Sequence, residues 1–148
     1  MTLWNELIDA YLDSNVEHRY FLDLQQGIVV MDWDESLTGE PGIDWDDPPS
    51  MERYCAVPQC TPPEAYSWRE RFAADDATGR LADALHRNRP FRRFKDALTD
   101  LRLWDAWNAY ERQWAERELK DWVEQLPLAY DVLQARCEAY WKNATPPP

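Results

Sequence analysis

Five cations lie close together in the stretch HRNRPFRRFKDAL, which covers residues 86–98. Arginine side chains keep a fixed positive charge and a planar fork of donors, so such a group suits a phosphate or a carboxylate. Pro90 is typical of the first turn of a helix, where free backbone N–H groups also favour an anion. The candidate anion-binding residues are Arg89, Arg92, Arg93 and Lys95, and Arg87 precedes them.

The anion beside this arginine cluster (Arg87, Arg89, Arg92, Arg93 and Lys95) is either internal or external. The chain has 28 Asp and Glu residues against 16 Lys and Arg, so internal ion pairs are the simpler interpretation. Asp96, for example, lies four residues after Arg92. An external phosphate or acidic peptide is the alternative. The formal net charge of -12 opposes general affinity for nucleic acid, because the molecule repels a polyanion beyond its local patch.

The acids concentrate in DWDESLTGEPGIDWDD, residues 32–47, which has seven acids and no base. Its Gly and Pro residues indicate a loop, and the ligand order of a calcium-binding helix–loop–helix is missing. Large aromatic residues are seldom left in solvent, so Trp33 and Trp45 each either pack against the rest of the protein or bind a partner. The sequence predicts a solvated acidic loop, with a partner-binding surface as the alternative. The candidate partner-binding residues are Asp32, Trp33, Asp34, Asp44, Trp45, Asp46 and Asp47.

Metal binding and catalysis find little support in the sequence. Cys55 and Cys60 have a C-x4-C spacing, but a zinc site needs two further ligands. His18, His86 and Cys137 form no second ligand motif. The chain has no phosphate-binding glycine loop, no nucleophile elbow and no zinc-protease motif. We therefore expect no metal, no cofactor and no catalytic residue.

The elements that must position these residues divide into a β-rich front and a helical back. A helical stripe in LWNELIDAYL opens the chain, and the runs RYFLDL and IVVMDW predict a hairpin, with Gly27 at its turn. ERYCAV predicts a third strand, which Pro58 ends. Thr61 and Glu64 frame a capping box that begins the helical part.

The helical back half contains at least four helices by its apolar periodicity. Pro90 begins one of them, a longer helix follows until Pro127, and the last helix covers about 128–142. The fold class is therefore α+β, with a small antiparallel sheet. We expect one domain over 1–143 and a disordered proline tail at 144–148. The aromatic residues predicted to lie in the core are Phe91, Phe94, Trp107 and Trp122.

Several of these stretches together resemble the uncharacterised protein family UPF0158. They are FRRFKDAL at 91–98, Trp107, NAYER and Trp122 after it, and the hairpin, RY, VP and EAYSW before it. The resemblance covers about 16–124 and leaves the last helix outside. It implies a small α+β domain of bacterial type, and it implies no activity, substrate or catalytic residue.

Two functions of different classes remain. The first is a non-catalytic interaction protein whose acidic, tryptophan-bearing surface binds a basic or protein partner. The alternative is a nucleic-acid- or phosphate-binding module that uses the cations at 87–95, and an enzyme of unknown type comes third. No apolar run is long enough for a membrane span and no signal peptide is evident, so we expect a soluble, cytoplasmic protein that does not bind membranes.

Overall fold

The computed structural model describes residues 2–13, 17–32, 43 and 45–144. The chain divides into two compact units, the first made of Met1–Gln59 and Arg117–Pro148 and the second of Cys60–Glu116. The strands are β1 (Arg19–Asp23), β2 (Ile28–Asp32) and β3 (Tyr54–Ala56). The helices are α1 (Leu3–Leu12), α2 (Pro48–Arg53), α3 (Pro62–Ala73), α4 (Arg80–Leu85), α5 (Pro90–Leu101), α6 (Trp104–Glu124) and α7 (Tyr130–Ala144).

The first unit contains an antiparallel sheet with the strand order β2-β1-β3. In the central strand, Phe21 lies opposite Val30 on one side and Ala56 on the other. The hairpin turn needs glycine for two reasons. Gly27 has a φ of 69°, and a Cβ there would lie 2.4 Å from the carbonyl oxygen of Leu133 in α7.

Helices α1 and α7 of the first unit are joined by polar contacts that are buried or partly buried. The Leu3 backbone N–H donates to Gln134 Oε1 at 3.0 Å. The Glu6 carboxylate, which is 9% exposed, accepts from both Cys137 Sγ and Trp141 Nε1 at 3.1 Å. The last helix is therefore an integral part of this unit and not an appendage.

The second unit is built around an aromatic core. Phe94 in α5 and Trp107 in α6 are 0% and 2% exposed, and their ring centroids lie 5.0 Å apart. Phe72 of α3 contacts both rings, at 6.4 Å and 5.3 Å. The predicted N-cap of α3 is confirmed, because Thr61 Oγ1 accepts the Glu64 backbone N–H at 3.4 Å.

The α+β class, the hairpin with a third strand and the helical back half are confirmed. The third strand is shorter than ERYCAV, because α2 takes up the residues as far as Arg53. The proline pair after Asp47 begins this helix, as proline favours the first helical turn. Phe91 and Trp122 are half-buried and do not lie in the fully buried core.

The single domain expected over 1–143 stays a prediction. The expected tail at 144–148 lies outside the described residues except for Ala144, which ends α7. Across the described ranges, no helix has both the length and the apolar character that a membrane crossing requires.

Candidate interaction surfaces

Asp32, at the end of β2, binds Ile43 and Trp45 near the C-terminal end of the acidic stretch of residues 32–47. Its Oδ1 accepts the backbone N–H of Ile43, and its Oδ2 accepts Trp45 Nε1, both at 3.0 Å. Both carboxylate oxygens therefore have a donor within the chain. Asp32 positions the surface and is not a free group for a partner.

Trp45 lies on the sheet and remains accessible. Its ring centroid is 4.9 Å from that of Phe21 and 6.2 Å from that of Tyr54, yet 38% of the residue is exposed. Trp33, Asp34 and Asp44, which were predicted with it, lie outside the described residues. The other two predicted residues, Asp46 and Asp47, are exposed beside Trp45. We call Asp32, Trp45, Asp46 and Asp47 the acidic surface.

A groove of about 690 Å³ adjoins the acidic surface within the first unit. Its lining includes Asp47 and Glu52 from the region of α2, Tyr54 from β3, Leu24 from the hairpin turn and Leu128 from the segment before α7. We call it the α2 groove. It combines apolar walls with charged side chains, which is the usual character of a binding groove.

The charges of the chain are distributed unequally between the two units. Residues 1–59 and 117–148 contain 18 acids and six bases, whereas residues 60–116 contain ten of each. The whole formal charge of -12 therefore belongs to the first unit. A basic partner would be attracted to that unit and not to the second one.

The predicted anion-binding residues lie on the second unit, and all four are exposed. Two members of the arginine cluster are engaged within the chain. Arg87 Nε lies 3.0 Å from Asp83 Oδ2, four residues earlier in the sequence, and Arg93 Nε donates to the Asn88 carbonyl at 2.7 Å. Internal pairing thus accounts for part of the cluster.

Arg89 and Arg92 differ from these two residues. Within the described ranges neither side chain has a hydrogen bond or an ion pair, and no ion pair links Arg92 to Asp96. Together with Arg93 and Asp96 they line a pocket of about 250 Å³. The pocket lies at the start of α5, which has no side-chain cap. The structure thus leaves two cations available at a helix N-terminus.

Arg69 is a charged residue that the sequence reasoning missed. It is 8% exposed, and its guanidinium carbon lies 4.2 Å from the ring centroid of Phe91 and 5.0 Å from that of Trp107. Its Nη1 donates to the Ala65 carbonyl, while Nε is buried without an acceptor. Burial lowers the pKa of Arg69, and Glu111 opposes this shift. Its signal in the sequence is the spacing to Phe72, three residues later, which places both side chains on one face of α3.

Two polar clusters of the first unit also have shifted pKa values. Burial, then the hydrogen bond to Glu6, raises the pKa of Cys137 to about 12. Burial, then the hydrogen bond to Asp13, raises the pKa of Tyr20 to about 12. Such protonated groups act as structural donors and not as nucleophiles at neutral pH. The residues described by the structure include no group of three His, Cys, Asp or Glu side chains that could hold a metal ion.

The fold and these surfaces define a small α+β protein with candidate binding surfaces. The model of the uncharacterised protein family UPF0158 matches residues 1–135, and the chain belongs to that family. The match is wider than the expected 16–124, since it includes α1 and the first part of α7. No curated protein and no solved structure matches the chain.

Proposed function

We propose that the protein is a non-catalytic interaction protein whose acidic surface binds a basic partner protein. The observation that carries this proposal is Trp45. Asp32 fixes its ring nitrogen at 3.0 Å, and the ring is nevertheless 38% exposed beside Asp46 and Asp47. A tryptophan that is already held in place loses little side-chain entropy on binding.

The charge of the first unit supports the choice of partner. Tryptophan is enriched among the residues that dominate binding energy, and charges around it steer association. With 18 acids against six bases, this unit attracts a basic protein and repels nucleic acid. No disulfide joins any two of the described cysteines, which supports a reducing location such as the cytoplasm.

The experiment is affinity purification of the tagged protein from its native cells, with and without nuclease. Trp45→Ala is compared with Trp141→Ala, a matched control that is 36% exposed and whose Nε1 also donates to a carboxylate. We expect a nuclease-resistant protein partner that Trp45→Ala loses and Trp141→Ala retains. Equal retention by both variants, or release of the partner by nuclease, contradicts the proposal.

The second candidate function is binding of phosphate or nucleic acid by the arginine cluster. Arg89 and Arg92 favour it, because both lack a partner among the described residues and line one pocket. Titration with a labelled single-stranded oligonucleotide tests it, with Arg89→Glu plus Arg92→Glu as the variant. Binding that this variant abolishes, and that weakens steeply with salt, supports the second candidate.

A further inference from the structure

Part of the wall of the α2 groove is apolar. Leu24, Pro49, Tyr54 and Leu128 contribute to its walls, and its volume of about 690 Å³ is within the range of sites that hold a small ligand or a short peptide segment. Tyr54 also connects it to the acidic surface, because its ring contacts that of Trp45. A partner bound at Trp45 therefore has an adjoining groove in which a further segment can be buried.

The four charged side chains that line this groove are two acids and two bases, and the buried carboxylate of Asp23 behind them adds a third acid. Arg53 donates from Nε and Nη2 to the buried carboxylate of Asp23, at 2.9 Å and 2.7 Å, and Arg136 donates to the Leu24 carbonyl at 2.8 Å. The side chains of Asp47 and Glu52 are exposed and make no hydrogen bond or ion pair with the described residues. The Leu24 carbonyl is neutral, so Arg136 keeps its charge, and three carboxylates (Asp23, Asp47 and Glu52) stand against two cations. The net charge is -1, which attracts a cation.

We propose that the α2 groove binds an extended, basic segment of the partner protein, an inference that rests on the proposed function. Apolar side chains of that segment enter between Tyr54 and Leu128, and neighbouring Arg or Lys side chains pair with Asp47 and Glu52. An extended chain fits this requirement because successive side chains point to opposite sides, so apolar and basic groups can alternate. The first unit of a second copy is a poor occupant, since two units of net charge -12 repel each other.

The probe is a fluorescein-labelled decapeptide of alternating leucine and arginine, measured by fluorescence anisotropy. Two control peptides replace arginine by glutamate or leucine by serine. We expect the leucine–arginine peptide to bind, and both control peptides to bind at least about tenfold more weakly, because each lacks one of the two interactions. Equal binding of the arginine–serine peptide contradicts burial of an apolar side chain.

Charge reversal locates the binding on the protein. Asp47→Lys with Glu52→Lys is compared with Glu118→Lys and Asp121→Lys, which are exposed acids of the same unit outside the groove. Both double variants change the net charge equally. We expect the first to weaken binding at least about tenfold, and the second by less than about threefold at physiological salt, where distant charges are screened.

A steric variant tests the groove independently of charge. Gln25 is exposed and lines the groove, whereas Gln26 is exposed and does not line it. We expect Gln25→Trp to fill the groove and reduce peptide binding at least about tenfold, and Gln26→Trp to leave it unchanged. Circular dichroism and melting temperature verify that each variant is folded.

The outcomes separate this inference from the proposed function. If the groove variants bind the peptide as well as their controls do, the groove assignment is wrong. If the native partner is lost by Trp45→Ala but kept by both groove variants, the groove is wrong and the proposed function stands. If Trp45→Ala retains the partner, the proposed function fails on its own experiment, and peptide binding that depends on the groove would then establish the groove alone.

Discussion

The two units of this protein differ in their balance of acidic and basic residues. The second unit contains ten acids and ten bases, and part of its arginine cluster is paired inside the unit, as in the contact between Arg87 and Asp83. The first unit contains 18 acids and six bases, so most of its carboxylates cannot find a cation within it. From this comparison we propose that unbalanced charge is a better indicator of a binding surface than a conspicuous cluster of one charge. The unbalanced surface is the better candidate.

Ion pairs show the same contrast at the level of single residues. In the first unit, Arg53 pairs with Asp23, whose side chain is only 2% exposed. In the second unit, the side chains of Arg87 and Asp83 are 59% and 62% exposed. Removing one partner of a pair with a buried carboxylate is destabilising because it leaves an uncompensated charge, whereas an exposed pair contributes little because water and salt screen it.

The largest effect that we expect is in the core of the second unit. Phe94→Ala should lower the free energy of unfolding by about 3 to 5 kcal/mol, because it empties a fully buried site between aromatic rings. Phe91→Ala should have a smaller effect, since Phe91 is half-buried. Urea denaturation measures both. Equal losses would mean that the half-buried ring is as important as the core ring.

The next largest effect is the loss of stability when the cation is removed from each of two ion pairs, Arg53–Asp23 and Arg87–Asp83. Arg53→Met should destabilise the protein by roughly 2 to 3 kcal/mol, because it leaves Asp23 buried without its cation. Backbone N–H groups of Gln25 and Gln26 still reach that carboxylate, so the loss is below the maximum for a buried charge. Arg87→Met should cost less than about 0.5 kcal/mol. A larger loss for Arg87 than for Arg53 in the same denaturation series would reverse the contrast.

The stability of the first unit at alkaline pH should depend on the buried thiol of Cys137 in its interior. The pKa of Cys137 is raised from 9.0 to about 12, so the folded state holds this proton more tightly than the unfolded state. The resulting stability is complete below pH 9.0 and is lost as the pH rises towards about 12. Cys137→Ala should therefore show a shallower decline of unfolding free energy in this window, by up to about 1.4 kcal/mol per pH unit. Parallel slopes for the variant and the wild type would contradict a buried, protonated thiol.

The smallest expected effect concerns the arginine cluster. Arg92→Glu with Arg93→Glu should change stability by less than about 1 kcal/mol, because Arg92 has no partner among the described residues and Arg93 has one carbonyl contact. Acidic residues also suit the first turn of a helix, which offsets the lost contact. Thermal melts measure this change. A loss above about 2 kcal/mol would mean that the cluster holds the second unit together.

The sequence was sufficient for the hairpin, the cap at Thr61 and the start of α5 at Pro90, because local residue chemistry determines each of these features. It was insufficient for Arg69 and for Cys137 with Glu6. Local spacing places Arg69 on one helix face with Phe72, but the burial of these groups comes from packing between distant helices, which no local pattern records. The same limit applied to Asp32. The composition of residues 32–47 indicated that Asp32 is a solvated acid. Only the fold brings Ile43 and Trp45 to its two carboxylate oxygens.

The most direct test of the account measures the affinity of the purified native partner for two variants of this protein that carry opposite charge reversals. Asp47→Lys with Glu52→Lys alters the first unit, and Arg89→Glu with Arg92→Glu alters the second. Isothermal titration at physiological salt should give at least about tenfold weaker binding for the first variant and less than about threefold change for the second. If the second variant loses the partner and the first retains it, binding belongs to the arginine cluster and the central claim is wrong.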